Sequence, residues 1–237
     1  MEWKKIWEGR SSINNVKENE SCLSSDDYIL DALIRLDGFD SGTGNIFLDS
    51  WKNYINEVGQ MLQISEDDSI YEVGCGSGAF LYPFYIKGHH VGGMDFSSSL
   101  VNNARQIMKN MDFEINEAKN LSCELKYDFV VANSVFFYFP DYEYAACVLN
   151  KMVDKSVKRV LIMDIPDLET KNECEEIRRS AYPPGEYEKK YKDLSHLYFK
   201  RSWFTEFGLK NGLKVTLYDQ KISNYDNSRF RFNCLIE

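Results

Sequence analysis

Residues 69–80, SIYEVGCGSGAF, combine a carboxylate with a loop almost stripped of side chains. An apolar run ends on Glu72, and Gly74, Gly76 and Gly78 then alternate with Cys75 and Ser77. Glycines here remove the Cβ atoms that would keep a ligand away from the backbone. A helix that follows would offer unpaired N–H groups and the positive end of its dipole. Gly74, Gly76 and Ala79 also satisfy the dinucleotide spacing G-x-G-x-x-G/A, so the glycines alone do not choose the ligand. Glu72 bears on that choice, because a carboxylate is unfavourable beside a pyrophosphate and favourable beside a cation. Asp95, in VGGMDFS, has the position expected of an acceptor for a ribose diol. Two later stretches, NEAKNL and YDFVVANSVFFYFPD, add Glu117, Ala118, Asn133 and Ser134.

These residues need a frame that brings their loops to one edge. Short apolar runs predict strands at 70–73, 91–95, 113–116, 129–133 and 160–164, with helices at 79–87, 99–109 and 142–153 between them. Strand and helix in alternation imply a parallel sheet covered on both faces. The tail differs: LKVTLYDQ and RFRFNCLIE alternate with period two around KISNYDNS, which predicts an antiparallel hairpin. Ahead of the sheet, WKNYINEVGQMLQI has helical spacing, whereas residues 1–50 read as polar and irregular, with Trp3 and Trp7 one helical turn apart and a Gly-rich DGFDSGTG. The connection at 165–200 is far longer than the roughly 2–6 residues usual in α/β units. It predicts an insertion with a helix near 171–179, a Pro-Pro-Gly break, and tyrosines at 182, 187, 191 and 198.

The 237 residues are 43% hydrophobic and 27% charged, which suits one large domain. A net charge of −9, with Lys and Arg scattered, argues against a nucleic-acid partner. None of the six cysteines forms a C-x-x-C pair, so they read as reduced thiols of a cytoplasmic protein. The N-terminus lacks the apolar core of a signal peptide, and no run approaches the roughly 20 apolar residues of a membrane span.

Taken in order, YEVGCGSGAF, GGMDFS, NEAKNL and YDFVVANSVFFYFPD resemble motifs I to IV of the class I S-adenosylmethionine-dependent methyltransferases. The resemblance spans about residues 60–165. The two tryptophans argue that residues 1–50 pack as an N-terminal cap, and the length and tyrosines of 165–200 argue for a substrate-pocket insertion at the carboxyl end of a strand. The resemblance itself implies a Rossmann-like three-layer α/β sandwich with a seven-stranded mixed sheet. It also implies S-adenosylmethionine as cofactor, in a loop comprising Glu72, Gly74, Cys75, Gly76 and Gly78. Glu72 and the backbone of Gly74 and Gly76 would hold the methionine end, and Asp95 the ribose hydroxyls. Phe96, Glu117 and the Ala118 backbone would meet the adenine, although the family more often has Asp where this chain has Glu117. Asn133 and Ser134 would lie beside the methionine moiety.

Methyl transfer is an in-line displacement from a sulfonium, so the enzyme's work is alignment plus the handling of one proton on the nucleophile. The expected acceptor is an oxygen or nitrogen of a small molecule. His196, in DLSHLYF, is the candidate base, since its ordinary pKa suits that work. Tyr138, Tyr182, Tyr198 and Arg201 are candidate substrate contacts. Arg229 and Arg231 alternate with Phe230 and Phe232, which predicts a solvated strand face, and His89 and His90 sit in a turn at the far end of the sheet. Asp164 and Asp167 are weak metal candidates without an Asp-Asn pair, and no metal is expected. Two other classes stay open: a dinucleotide-dependent oxidoreductase, and a catalytically silent cofactor-binding adaptor.

Overall fold

The computed structural model describes residue 7 and residues 24–39, 46–192 and 194–237. Seven strands form one sheet: β1 (Ile70–Val73), β2 (Val91–Asp95), β3 (Asp112–Ile115), β4 (Tyr127–Asn133), β5 (Ser156–Pro166), β6 (Val215–Asp219) and β7 (Arg231–Ile236). Their order is β3-β2-β1-β4-β5-β7-β6. β7 runs antiparallel to both of its neighbours, β5 and β6; the other pairs are parallel. The mixed sheet with a C-terminal hairpin is therefore as the sequence predicts.

The described helices are α1 (Ser25–Leu36), α2 (Leu48–Leu62), α3 (Tyr82–Tyr85), α4 (Ser98–Ile107), α5 (Tyr142–Lys155), α6 (Lys171–Ser180), α7 (Glu186–Lys190) and α8 (Arg201–Asn211). They build a core on each face of the sheet. Leu33, Trp51 and Val101 pack with Ile70 on one face, and Leu149, Phe204 and Phe232 pack with Tyr71 on the other. Successive residues of β1 thus enter opposite layers, as the strand period requires. The chain order reverses between β1 and β4, so their carboxyl ends flank the crevice where open α/β sheets hold ligands. No helix among the described residues is long and apolar enough to cross a membrane.

Two expectations need correction. Residues 1–50 are not uniformly irregular, because α1 lies within them. Its Ser24 side chain caps the helix by accepting the Asp27 N–H at 3.2 Å, and Leu30, Leu33, Ile34 and Leu36 are buried. The helix predicted at 79–87 shrinks to the four residues of α3. Gly74, Gly76 and Gly78 all have positive φ, which carries the loop onward, and Pro83 then starts the short helix without needing an N–H partner.

The buried indole of Trp51 ties α2 to the end of this loop: Nε1–H donates to the Ala79 carbonyl at 3.1 Å. Trp51→Phe keeps most of the burial and leaves that carbonyl unpaired. Urea unfolding should show a loss of about 1–3 kcal/mol with the fold retained.

Candidate active site

A cavity of about 720 Å³ opens at the carboxyl edge of the sheet. Glu72, Gly74, Cys75, Gly76 and Asp95 line it, as do Phe96, Glu117 and Ala118 beyond the neighbouring strands and Asn133 and Ser134 at the end of β4. Tyr138, Tyr182 and His196 line it too. One cavity therefore gathers most of the residues that the sequence singled out.

The glycine loop is shaped by acceptors on either side. Gly76 N–H donates to Asp95 Oδ2 at 3.2 Å, and Asp95 Oδ1 takes the Ser97 N–H at 2.8 Å. Ser77 and Ala79 donate their N–H groups to Asp37 at 2.6 and 3.2 Å. Gly74 has φ +77°, and a Cβ there would lie 2.3 Å from Val135 Cγ2. Gly78 serves differently. A Cβ on it would strike Met108, it is absent from the cavity lining, and its bareness lets α4 approach.

Three carboxylates converge under this loop. Glu72 is 2% exposed, and its Oε2 has no hydrogen-bond partner among the described residues. Burial, then the charges of Asp37 and Asp95, push its carboxyl well above the ordinary range. Burial also raises Asp95, against the pull of the amides that it accepts. The same cause takes Asp37 to about 7, with the Ser77 and Ala79 bonds opposing and the Asp95 charge assisting. Sequence reasoning missed Asp37. It lies in the quoted DGFD, but its contacts are forty residues away in the chain.

Asp37, Gly38, Phe39 and Trp7 bring the N-terminal region to the cavity. The Trp7 ring meets Tyr138 edge-on at 5.8 Å, and its carbonyl accepts the Ser97 hydroxyl at 3.2 Å. Trp3 and residues 40–45, also expected in a cap, lie outside the described residues.

On the substrate side, the 165–200 connection contributes α6 and α7 and places Arg178, Tyr182, Tyr191, Leu194 and His196 along the cavity. His196 packs edge-on to Phe137 and Tyr138 at 4.9 and 5.7 Å. Its Nδ1 lies 2.8 Å from Arg178 Nη1. Arginine can only donate, so Nδ1 accepts and the neutral ring carries its proton on Nε2. Burial, then the charges of Arg178 and Arg231, hold the ring well below the usual histidine range. A general base needs a free acceptor nitrogen, and in this geometry Nδ1 is engaged by Arg178.

Three further expectations change. Arg201 does not line the cavity; it is bound to Asp167 and Asp219, at 2.7 Å each, and lies over Phe232. Tyr198 is 4% exposed and absent from the lining, with its ring beneath Lys171. Arg231, expected on a solvated strand face, is 4% exposed and lines the cavity, whereas Arg229 is exposed. His89 and His90 lie at the opposite edge, on the Asp68 carbonyl and Asp112. Asp164, considered for a metal, is instead a polar hub. It accepts the hydroxyls of Ser134 and Tyr225 at 2.7 and 3.2 Å and the Gln220 amide at 2.9 Å.

Two outcomes test this geometry. Gly74→Ala should cost about 1–3 kcal/mol from strain at positive φ and the Val135 clash. In the double variant with Val135→Ala, part of that loss should return as a non-additive term in denaturant unfolding. Asp37 has a raised folded pKa, so its stabilising contribution is complete below its ordinary value and disappears as pH rises through about 7. The stability of the unliganded chain relative to Asp37→Asn should therefore fall between about pH 4 and 7; a pH-independent difference would contradict the assignment.

A family model described as a methyltransferase domain matches residues 70–156. A curated relative, the putative methyltransferase 235L of Invertebrate iridescent virus 6, is 31% identical over 93 residues, which is 38% of this chain. That match spans 32% of the relative's length. Among solved structures, magnesium protoporphyrin IX methyltransferase from Synechocystis PCC 6803 with bound SAH aligns at a TM-score of 0.60 and 17% identity, over 90% of this chain and 99% of that one. The plantazolicin methyltransferase BpumL, in complex with a desmethylPZN analog and SAH, aligns at 0.60 and 15% identity, over 79% and 82%. These likenesses share the fold, and the family match falls on the segment carrying Glu72, the glycine loop, Asp95 and Asn133. A methyltransferase-domain match over residues 70–156 and a shared fold are what this chain has in common with S-adenosylmethionine-dependent methyltransferases of known structure.

Proposed function

We propose that this chain transfers a methyl group from S-adenosylmethionine to an oxygen, or a nitrogen, of a small metabolite by in-line displacement. One observation carries the reading. The buried, unpartnered Oε2 of Glu72 sits among three carboxylates beneath a glycine loop. Such a cluster fits a ligand with a cationic end and disfavours a pyrophosphate, so the dinucleotide alternative loses ground.

Glu72 would face the ammonium end of the cofactor, with the Gly74 and Gly76 backbone beside it. Asp95 uses one lone pair of Oδ2 on Gly76 and one of Oδ1 on Ser97, and a carboxylate has about four acceptor sites, so capacity remains for ribose hydroxyls. Phe96, Glu117 and Ala118 would surround the adenine. When bound, the cofactor supplies a methyl group on a cationic sulfonium. The chain's residues hold and orient the two reactants, and Val135, Phe137 and Tyr138 wall the end of β4 with apolar surface that excludes water. A cavity of about 720 Å³ lies within the range of small-molecule sites. The net charge of −9 supports an acceptor other than nucleic acid. Free thiols at Cys75, Cys123, Cys147, Cys174 and Cys234 suit a cytoplasmic setting.

Calorimetry should detect binding of S-adenosylmethionine and its demethylated product and none of NAD; the reverse pattern would overturn the reading. Glu72→Gln and Asp95→Asn should each weaken cofactor binding by about ten- to a hundredfold, from the loss of bonds to charged acceptors. Asp37 titrates near 7 in the unliganded chain, and a nearby cation favours its ionised form. Affinity should therefore rise with pH through about 7, and binding should release protons, measured as an enthalpy that depends on the buffer.

A further inference from the structure

Arg231 opens β7 and is 4% exposed, yet its guanidinium is poorly matched by protein. Nε lies 3.3 Å from Asp164 Oδ1 without forming a hydrogen bond, and neither Nε nor Nη1 has a hydrogen-bond partner among the described residues. The group rests over the Phe137 ring at 5.2 Å and lines the cavity. Asp164 offers little more, since Ser134, Tyr225 and Gln220 already use its oxygens. Burying a guanidinium with unpaired donors is costly unless something else meets them.

A second guanidinium lines the same part of the cavity. Arg178 lies over the Tyr191 ring at 5.3 Å and donates to His196 Nδ1 at 2.8 Å. His196 is neutral in that arrangement, so it satisfies a donor and cancels no charge. No carboxylate among the described residues forms an ion pair with Arg178. Two cations thus face one carboxylate, Asp164; the other acids of the cavity gather at the glycine loop and at Glu117. Asp164 is bonded to Ser134 at 2.7 Å, which puts this cationic corner beside the carboxyl end of β4.

We propose that Arg231 and Arg178 receive the anionic group of the substrate, so that the acceptor is a small acid bearing a carboxylate or a phosphoryl group. The planar guanidinium fork suits both groups. The substrate class deepens the methyltransferase reading and rests on it.

The test uses the full chain loaded with S-adenosylhomocysteine, after its binding has been measured. Benzoate and inorganic phosphate are titrated at matched ionic strength against the neutral benzamide, with melting temperature as readout. At least one acid should raise the melting temperature where benzamide does not, and the acid that acts tells a carboxylate from a phosphoryl substrate. Arg178→Gln and Arg231→Gln should each weaken that response by about tenfold or more while S-adenosylhomocysteine affinity is kept. Should Arg231→Gln fail to fold, with Asp164 left facing nothing, Arg178→Gln carries the test. An equal response to benzamide, no response to either acid, or an unchanged acid response in Arg178→Gln overturns the proposal. Bound S-adenosylhomocysteine with no acid response overturns the acid pocket alone, whereas failure to bind S-adenosylhomocysteine overturns the methyltransferase reading.

Discussion

Two carboxylates hold the glycine loop by its amide protons, and the site is arranged round that constraint. Asp95 takes the Gly76 N–H, and Asp37 takes those of Ser77 and Ala79. Positive φ at Gly74, Gly76 and Gly78 breaks the loop into turns, so these amides meet side-chain acceptors in place of helix carbonyls. The acceptors come from separate elements: Asp95 ends β2, and Asp37 caps α1. The β1–β2 register and the docking of α1 therefore set the loop's shape jointly. Acids gathered in a low dielectric resist ionising together, while an ionised acceptor binds an amide more strongly than a neutral one. A cation nearby reconciles the two demands, and Glu72, with an oxygen unpaired, is the group left to meet it.

A second constraint sits at the ends of β4 and β5. Ser134 and Asp164 both adopt left-handed backbone, at φ +59° and +58°, where non-glycine residues are strained. Such strain persists when the surroundings over-determine it. Ser134 donates to Asp164, the Asp164 N–H goes to Asn233 on β7, and Gln220 and Tyr225 close on the same carboxylate. Strand direction explains why β7 supplies so much. Because it runs antiparallel, its first residue meets the carboxyl end of β5, with Pro166 opposite Arg231. A parallel strand in that place would have put its amino end, and Arg231 with it, at the far edge of the sheet.

How much of this is legible in the sequence depends on the range of the interaction. β1 and β2 have the bounds that their apolar runs predict, and the loop, Glu72 and Asp95 follow from local spacing. Asp37 does not, since its partners are distant in the chain and its helix hides in a polar-looking stretch. The Ser24 cap and the apolar spacing of Leu30, Leu33 and Ile34 were the signal available there. Arg231 fails for another reason. Alternation with Phe230 and Phe232 implies a half-exposed strand only at a sheet face open to water. β7 lies between β5 and β6, and all six of its residues are buried. Arg201 shows the converse, a charge near the insertion that is spent on Asp167 and Asp219.

Under the proposed reading the cavity also sorts its ligands. Asp37, Glu72 and Asp95 lie on α1, β1 and β2, whereas Arg178 and Arg231 come from α6 and β7. The end of β4 lies between these groups of elements in the sheet, with Asn133 accepting the Tyr54 hydroxyl at 3.1 Å and Ser134 joined to Asp164. A cation is attracted to the acidic side and repelled by the arginines, and an anion experiences the reverse. Each reactant is therefore directed to its own side by charge before shape acts. The two meet at β4 with opposite charges facing, and neutral His196 leaves that polarity undisturbed.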